Sequence, residues 1–351
     1  MNMATPVKAC GATGSVQADA SNEWDRLRSV IVGSAEGAQV PRVRDRALHA
    51  IDYPHATPEE FASLPAGPYP RAVIEETAED LEAFSAQLTG LGIEVHRPRL
   101  LDFSERYSTR LWSVDGYYTC CPRDTITVIG RRVYAAPMVL RHRQAESRAY
   151  RGLFPEAAWV QCPLPALPDE MYLPPDPSGR TLAEVEPAFD AANIMRFDRD
   201  ILYLVSNTGN RLGAGLLQEL LGSGYRVHVA ADVYNDRHID TTFVPLREGL
   251  LMCNPSRVRD GDIPDFLRGW DILRSPEMVP LPALDDWGPA SEWIGMNVLS
   301  ISPSLVAVEE HQTPLMKAFR SHGIESLPVR LRHTRTIGGG PHCVTADLVR
   351  G

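Results

Sequence analysis

A unit recurs along this chain of 351 residues, and the recurrence constrains the fold more than any other feature. Each copy opens on a polar, often acidic residue. Two short β-type runs joined by a turn follow, then an amphipathic helix and a last short strand. The first copy starts at "NEWDRLRSVIVG", carries Leu81, Phe84, Leu88 and Leu91 at helical spacing, and closes on "IEVHRP". Gly90 and Gly92 are the expected helix stops there. The second runs through "CPRDTITVIGRRVYAAP", a helix near "QAESRAYRGLF", and "AAWVQCP". The third is "FDAANIMRFDRDILYLVSN", then "RLGAGLLQELLGSG" with Leu212, Leu216, Leu217, Leu220 and Leu221 as its stripe, then "YRVHVA". The fourth is "HIDTTFVPLREGLLMCNP", a helix at "DIPDFLRGW", and "DILRSP". The fifth is "MNVLSISPSLVAVEE", then "TPLMKAFRSHG", with Thr313 as N-cap, Pro314 at N1 and Gly323 as the stop, then "IESLPVRL". Five such α/β units can close into a ring with their opening residues at a common axis. The same spacing is also compatible with a generic α/β sandwich.

Composition narrows the partners. Hydrophobic residues make up 44% and charged residues 23%, enough for a large core. The formal net charge is −10 with no long basic run, which argues against nucleic acid. No apolar run approaches the roughly 20 residues that cross a bilayer. Residues 1–21 lack an apolar signal region and are expected to be a flexible extension ahead of a single domain over 22–351. The six cysteines are scattered without any CxxC pair. Reduced thiols in the cytoplasm and no structural zinc are therefore expected. Stretches 49–70 and 163–186, rich in proline and acids, read as surface loops or lids.

The polar residues that open the units form a chemical set: Asp124, Asp190 with Asn193, His238 with Asp240, and Cys343 in the closing segment. Cys343 ends the run "GGGPHC". Most free cysteines are packing residues, but packing does not call for a backbone opened by three glycines. Read as a nucleophile, Cys343 needs a neighbour that promotes its thiolate. His238 is a candidate acid/base, against the alternative of a strand-end histidine bonded to backbone. "HID" sets His238 and Asp240 two apart, on one face if the segment is a strand. Asp190 sits among apolar neighbours, a costly place for an unpaired carboxylate, and orienting His238 removes that cost. A turn or cap role is the alternative. Asp124 and Asp240 add negative charge, although Asp124 can equally pair with Arg123 or another arginine. A pocket so acidic calls for a cation, and a guanidinium pairs bidentately with carboxylates.

At this point the sequence resembles the amidinotransferase family, which includes arginine:glycine amidinotransferases and the inosamine-phosphate amidinotransferases of streptomycin-type antibiotic pathways. The resemblance rests on "CPRD", "FDAAN", "HID", "NPSR", "SEWIGMNVL" and "GGGPHC" in order, from about Asn22 to the C-terminus. The opening "NEWDRLRSVIVGSAEGAQVP" is similar to the inosamine-phosphate branch. The resemblance implies a five-bladed pseudo-symmetric α/β propeller of ββαβ modules, a pentein-like fold. It implies a triad of Cys343, His238 and Asp190, with Asp124 and Asp240 holding the guanidinium and Arg257 and Ser291 near the donor's carboxylate. It further implies transfer of the amidino group of L-arginine through an amidino-cysteine to an inosamine phosphate, without metal or organic cofactor, in an enzyme that forms a homodimer. Transfer to glycine, lysine or another amine, an arginine deiminase-type hydrolase, and a non-catalytic arginine-binding protein are the alternatives. Two departures bear on the site: Pro341 replaces an aromatic, and Asn193 stands where the glycine branch often has Asp.

Overall fold

Short runs of β-branched and apolar residues pair as the unit pattern requires. In the second unit Ile126–Ile129 and Arg132–Ala135 form a hairpin with Val128 opposite Val133. Its turn passes through Gly130 at φ +58°, a left-handed value that disfavours side chains. The computed structural model describes residues 16–282 and 290–351. Within them, five three-stranded sheets share one plan: a middle strand antiparallel to one neighbour and parallel to the other. In units two to five the antiparallel neighbour precedes the middle strand and the parallel one follows it after a crossover, as parallel pairing demands.

The first unit departs from the expected hairpin. Its middle strand Leu27–Val32 pairs with Glu94–His96 in parallel, but its antiparallel neighbour is the C-terminal strand Thr345–Arg350. The two ends of the chain are thereby sewn into one sheet. First strands of neighbouring units lie against one another: Thr345–Arg350 beside Ile126–Ile129, Ile194–Phe197 beside Phe243–Arg247, and Phe243–Arg247 beside Leu299–Ser302. The strand Leu27–Val32 contacts Leu299–Ser302 in turn. No individual sheet closes on itself.

The crossovers vary. Arg71–Gly90 is a full helix that buries Val73, Thr77, Leu81, Phe84 and Leu88 at three- and four-residue intervals. It ends at Gly90, ahead of Gly92 at φ +79°, and leaves Leu91 exposed instead of on the stripe. Arg211–Leu221 buries Gly213, Ala214, Leu217 and Leu221, while Leu212 faces solvent. A Cβ at Gly213 would stand 2.7 Å from the Ala188 carbonyl, so the helix approaches there because the residue is small. In the fifth unit the helix is Thr313–Ser321 with Gln312 as N-cap, one residue earlier than the Thr313 cap expected. The crossover of the second unit retains only Arg148–Arg151 as α-helix. In the fourth, "DIPDFLRGW" holds the 3₁₀ turn Asp265–Leu267 and begins on the last residue of another, Asp260–Asp262, since Gly261, Pro264 and Gly269 deny a continuous helix.

Two further expectations change. Residues 1–15 lie outside the described residues. The rest of the expected extension is docked: the Val16 amide donates to Leu153 and the Asp19 amide to Leu348, and Ala18 and Ala20 are buried. The 49–70 stretch is not all loop, since helices Arg46–Asp52 and Pro58–Ser63 build it. No helix among the described residues is long and apolar enough to cross a membrane.

Beneath the strand junctions lies a buried ionic cluster. Arg196 bonds Glu23 and Asp347, Arg123 pairs with both carboxylates, and the Arg350 Nε donates to Asp347 at 2.8 Å.

Candidate active site

Each first strand is entered through a tight turn, and those turns carry the polar residues read from the sequence. Pro122–Thr125 brings Asp124, Ala191–Asn193 follows Asp190, and Ile239–Thr241 follows His238 and contains Asp240. Glu292–Met296 follows Ser291, and Cys343 stands two residues before Thr345–Arg350. One cavity is lined by Cys343, His238, Asp124, Asp240 and Ser291. "HID" is thus a turn and not a strand, yet it still delivers both side chains to the cavity.

Asp190 stands behind His238, its Oδ2 3.1 Å from Nε2 and its Oδ1 accepting from the Val139 amide. Asp124 Oδ1 lies 3.5 Å from His238 Nδ1. An imidazole with a carboxylate at each nitrogen is favoured in its charged form, which donates from both. Burial alone would lower the His238 pKa, but Asp124 and Asp190 outweigh it and raise it to about 8. Asp124 Oδ2 accepts from Arg143 Nη1 at 2.8 Å, and Glu146 holds Arg143 from the other side. Arg123, the partner considered from sequence, belongs instead to the buried cluster. Asp124 Oδ1 is buried and makes no hydrogen bond among the described residues, its charged neighbour being His238 Nδ1 at 3.5 Å.

Cys343 is 3% exposed, and its thiol donates to Asp240 Oδ2 at 3.2 Å. Burial, then the charges of Asp240 and Asp124, push its pKa well up and favour the protonated thiol. Burial also opposes ionisation of Asp240, but the hydrogen bond from His342 and the charges of His342 and His238 bring its pKa down to about 2. A carboxylate that stays ionised beside an un-ionised thiol favours an incoming cation.

Asn297 is the residue that sequence reasoning missed, although it lies inside "SEWIGMNVL". Its Oδ1 accepts from the amides of His342 at 3.1 Å and Cys343 at 2.9 Å, while its Nδ2 donates to Cys343 Sγ at 3.0 Å. Pro341 therefore removes no donor from this cradle, because the two amides that follow it make the bonds. The glycine run is explained by the same geometry. Gly338 has φ +83°, a Cβ at Gly339 would sit 2.9 Å from Cys121 Sγ, and a Cβ at Gly340 would sit 2.8 Å from Asn297.

Other expected residues fall further back. Arg257 does not line the cavity: Nη2 donates to Ser291 Oγ at 2.8 Å, Nη1 is held by Thr241 and Thr242, and the guanidinium stacks over Tyr234. Asn193 is buried and bonded to Leu204, Ser206 and Thr208, so its neutrality takes no charge from the cavity. Arg237 lines the cavity and pairs with Asp52 at 2.9 Å. Asp52 and Tyr69 bring the 49–70 stretch to the cavity wall, whereas 163–186 contributes nothing to the lining. Arg143, Glu146 and Asp52 carried no local signal, since each acts through a partner distant in sequence or outside any motif.

No protein-family model matches the chain. Inosamine-phosphate amidinotransferase 1 of Streptomyces glaucescens is 47% identical over 337 residues, covering 94% of this chain and 95% of that protein. The L-arginine:L-lysine amidinotransferase of Pseudomonas savastanoi pv. phaseolicola is 34% identical and covers 93% of both. The solved inosamine-phosphate amidinotransferase of Streptomyces griseus superposes with a TM-score of 0.91 at 43% identity, over 95% of this chain and 97% of that one.

Proposed function

The chain belongs to the amidinotransferase family, and on that premise we propose that it carries the amidino group of L-arginine on Cys343 to the amine of an inosamine phosphate. The observation that carries the reading is a single cavity lined by Cys343, His238, Asp124 and Asp240, in which the buried Asp124 Oδ1 makes no hydrogen bond among the described residues. A guanidinium supplies N–H donors to that oxygen and to Asp240. Its positive charge also offsets the negative field that keeps the proton on Cys343, so the thiol gives up its proton to solvent as the donor binds, while His238 keeps its own.

The thiolate attacks the guanidinium carbon and forms a C–S bond. Collapse breaks the bond from that carbon to the side-chain nitrogen of arginine. The nitrogen leaves with the electron pair and takes a proton from His238, releasing ornithine. Asp190 holds the ring throughout. The acceptor amine then attacks the amidino-cysteine carbon, His238 takes the amine proton, and the C–S bond breaks to return the thiolate. Ser291, backed by Arg257, offers its hydroxyl to the donor's carboxylate.

The acceptor follows the relatives: those named for inosamine phosphate stand at 47% and 43% identity, and the one named for lysine at 34%. We read the five sheets as the blades of a pseudo-symmetric propeller, supported by the first-strand contacts that run from unit to unit and return to Leu27–Val32. The free, unpaired cysteines among the described residues fit a cytoplasmic protein.

The test is transfer itself. With L-arginine and an aminocyclitol monophosphate, ornithine and the guanidinylated cyclitol phosphate should form one for one. Citrulline in place of the guanidinylated product would identify a hydrolase, and transfer only to lysine or glycine would replace the acceptor.

A further inference from the structure

We propose that Arg335 is the phosphate anchor of the acceptor, an inference that rests on the acceptor reading above. Three arginines line the cavity. Arg143 is held by Asp124 and Glu146, and Arg237 by Asp52. Arg335 has no carboxylate partner among the described residues. Its Nε and Nη2 both lean on one carbonyl, that of Ala290, at 3.3 and 3.2 Å. Among the described residues, two donors sharing one neutral acceptor leave the guanidinium charge unmatched and its Nη1 edge available.

The position suits the second half-reaction. After the first, the amidino group on Cys343 is itself a cation between Asp124 and Asp240, so the acceptor's amine must approach that end of the cavity. Its phosphate must then settle elsewhere in the lining. Asp52 neutralises Arg237, and an anion placed at Arg143 would face Asp124 and Glu146. A dianionic phosphate finds its unmatched cation at Arg335, where the planar fork can bind two oxygens. Arg335 also lies on Thr334–Gly338, the segment that runs directly into Gly339, Gly340, Pro341, His342 and Cys343. Anchor and nucleophile are therefore set by one stretch of backbone, which fixes the distance between phosphate and reacting amine. The neighbouring Ser291 stays with the donor's carboxylate.

The experiment compares Arg335→Ala, Arg335→Lys and the unaltered protein in three assays: adduct formation from L-arginine alone, transfer to an aminocyclitol monophosphate, and transfer to the same aminocyclitol without phosphate. Losing a charge-assisted bidentate contact should raise KM for the phosphorylated acceptor by about 10- to 100-fold in Arg335→Ala. Arg335→Lys should recover part of that. Adduct formation and the phosphate-free transfer should keep their rates. An equal loss with both acceptors, an unchanged KM, or a loss in adduct formation would overturn the assignment. If the unaltered protein forms the adduct but transfers to neither aminocyclitol, the acceptor reading itself fails, and the anchor falls with it.

Discussion

At the scale of single residues, the proposed mechanism requires a thiol that stays protonated until a cation binds. Asn297 is central because one side chain fixes both the backbone before the thiol and the sulfur itself. Asn297→Ala should slow formation of the Cys343 adduct about 100-fold, the usual consequence of a reacting group misplaced by around 1 Å. Arginine affinity should stay within a few-fold, since Asp124 and Asp240 remain, and single-turnover kinetics beside equilibrium binding separates the two effects. His238 gives a pH signature. Its pKa in the folded protein, about 8, lies above the ordinary 6.5. Its contribution to stability is therefore whole below pH 6.5 and is lost as pH rises through 8. The size is on the order of 2 kcal/mol. Thermal unfolding from pH 6 to 9 should decline across that window, and His238→Gln should remove the decline.

At the scale of elements, the crossovers carry stability and the turns carry chemistry. Phe84 is fully buried in the helix Arg71–Gly90. Phe84→Ala should cost about 3–5 kcal/mol in denaturant unfolding while the adduct rate per folded molecule stays unchanged. That helix was legible because its apolar spacing is long and regular. The fourth crossover was not, because apolar residues at helical spacing in "DIPDFLRGW" were read ahead of Gly261, Pro264 and Gly269. His238, Asp190, Asp124 and Asp240 are legible as site candidates because each opens a unit, and Cys343 because it ends a glycine run in the closing segment, whereas Ser291 enters only through the family resemblance. Asn297 lies in the same motif as Ser291, yet its part depends on Gly340 letting it approach the backbone, and that is a contact between the fifth unit and the C-terminal segment. Arg143 and Asp52 depend on folding alone to reach the cavity, so no spacing rule could single them out.

At the scale of the whole molecule, strands from near the two ends of the chain meet in one sheet. Leu27–Val32 and Thr345–Arg350 share one sheet, and the Cys343 turn hangs from that pairing. The sequence could not disclose this, since the hairpin rule assigns each strand a neighbour nearby in the chain. The buried cluster of Glu23, Asp347, Arg123, Arg196 and Arg350 ties the N-terminal, second, third and C-terminal segments together. Asp347→Asn removes the charge shared by three arginines, leaves buried cations unbalanced, and should cost about 3–5 kcal/mol, measured by chemical denaturation. Because the pairing of the N- and C-terminal strands and the nucleophile share this region, this variant should also lose adduct formation before it loses all secondary structure on mild heating. The central claim, that Cys343 takes the amidino group from arginine, is tested most directly by intact-protein mass after mixing with L-arginine and no acceptor, beside Cys343→Ala. The account predicts a gain of one amidino group with stoichiometric ornithine and no gain in the variant. An adduct on the variant, or citrulline accumulating with no adduct, would contradict it.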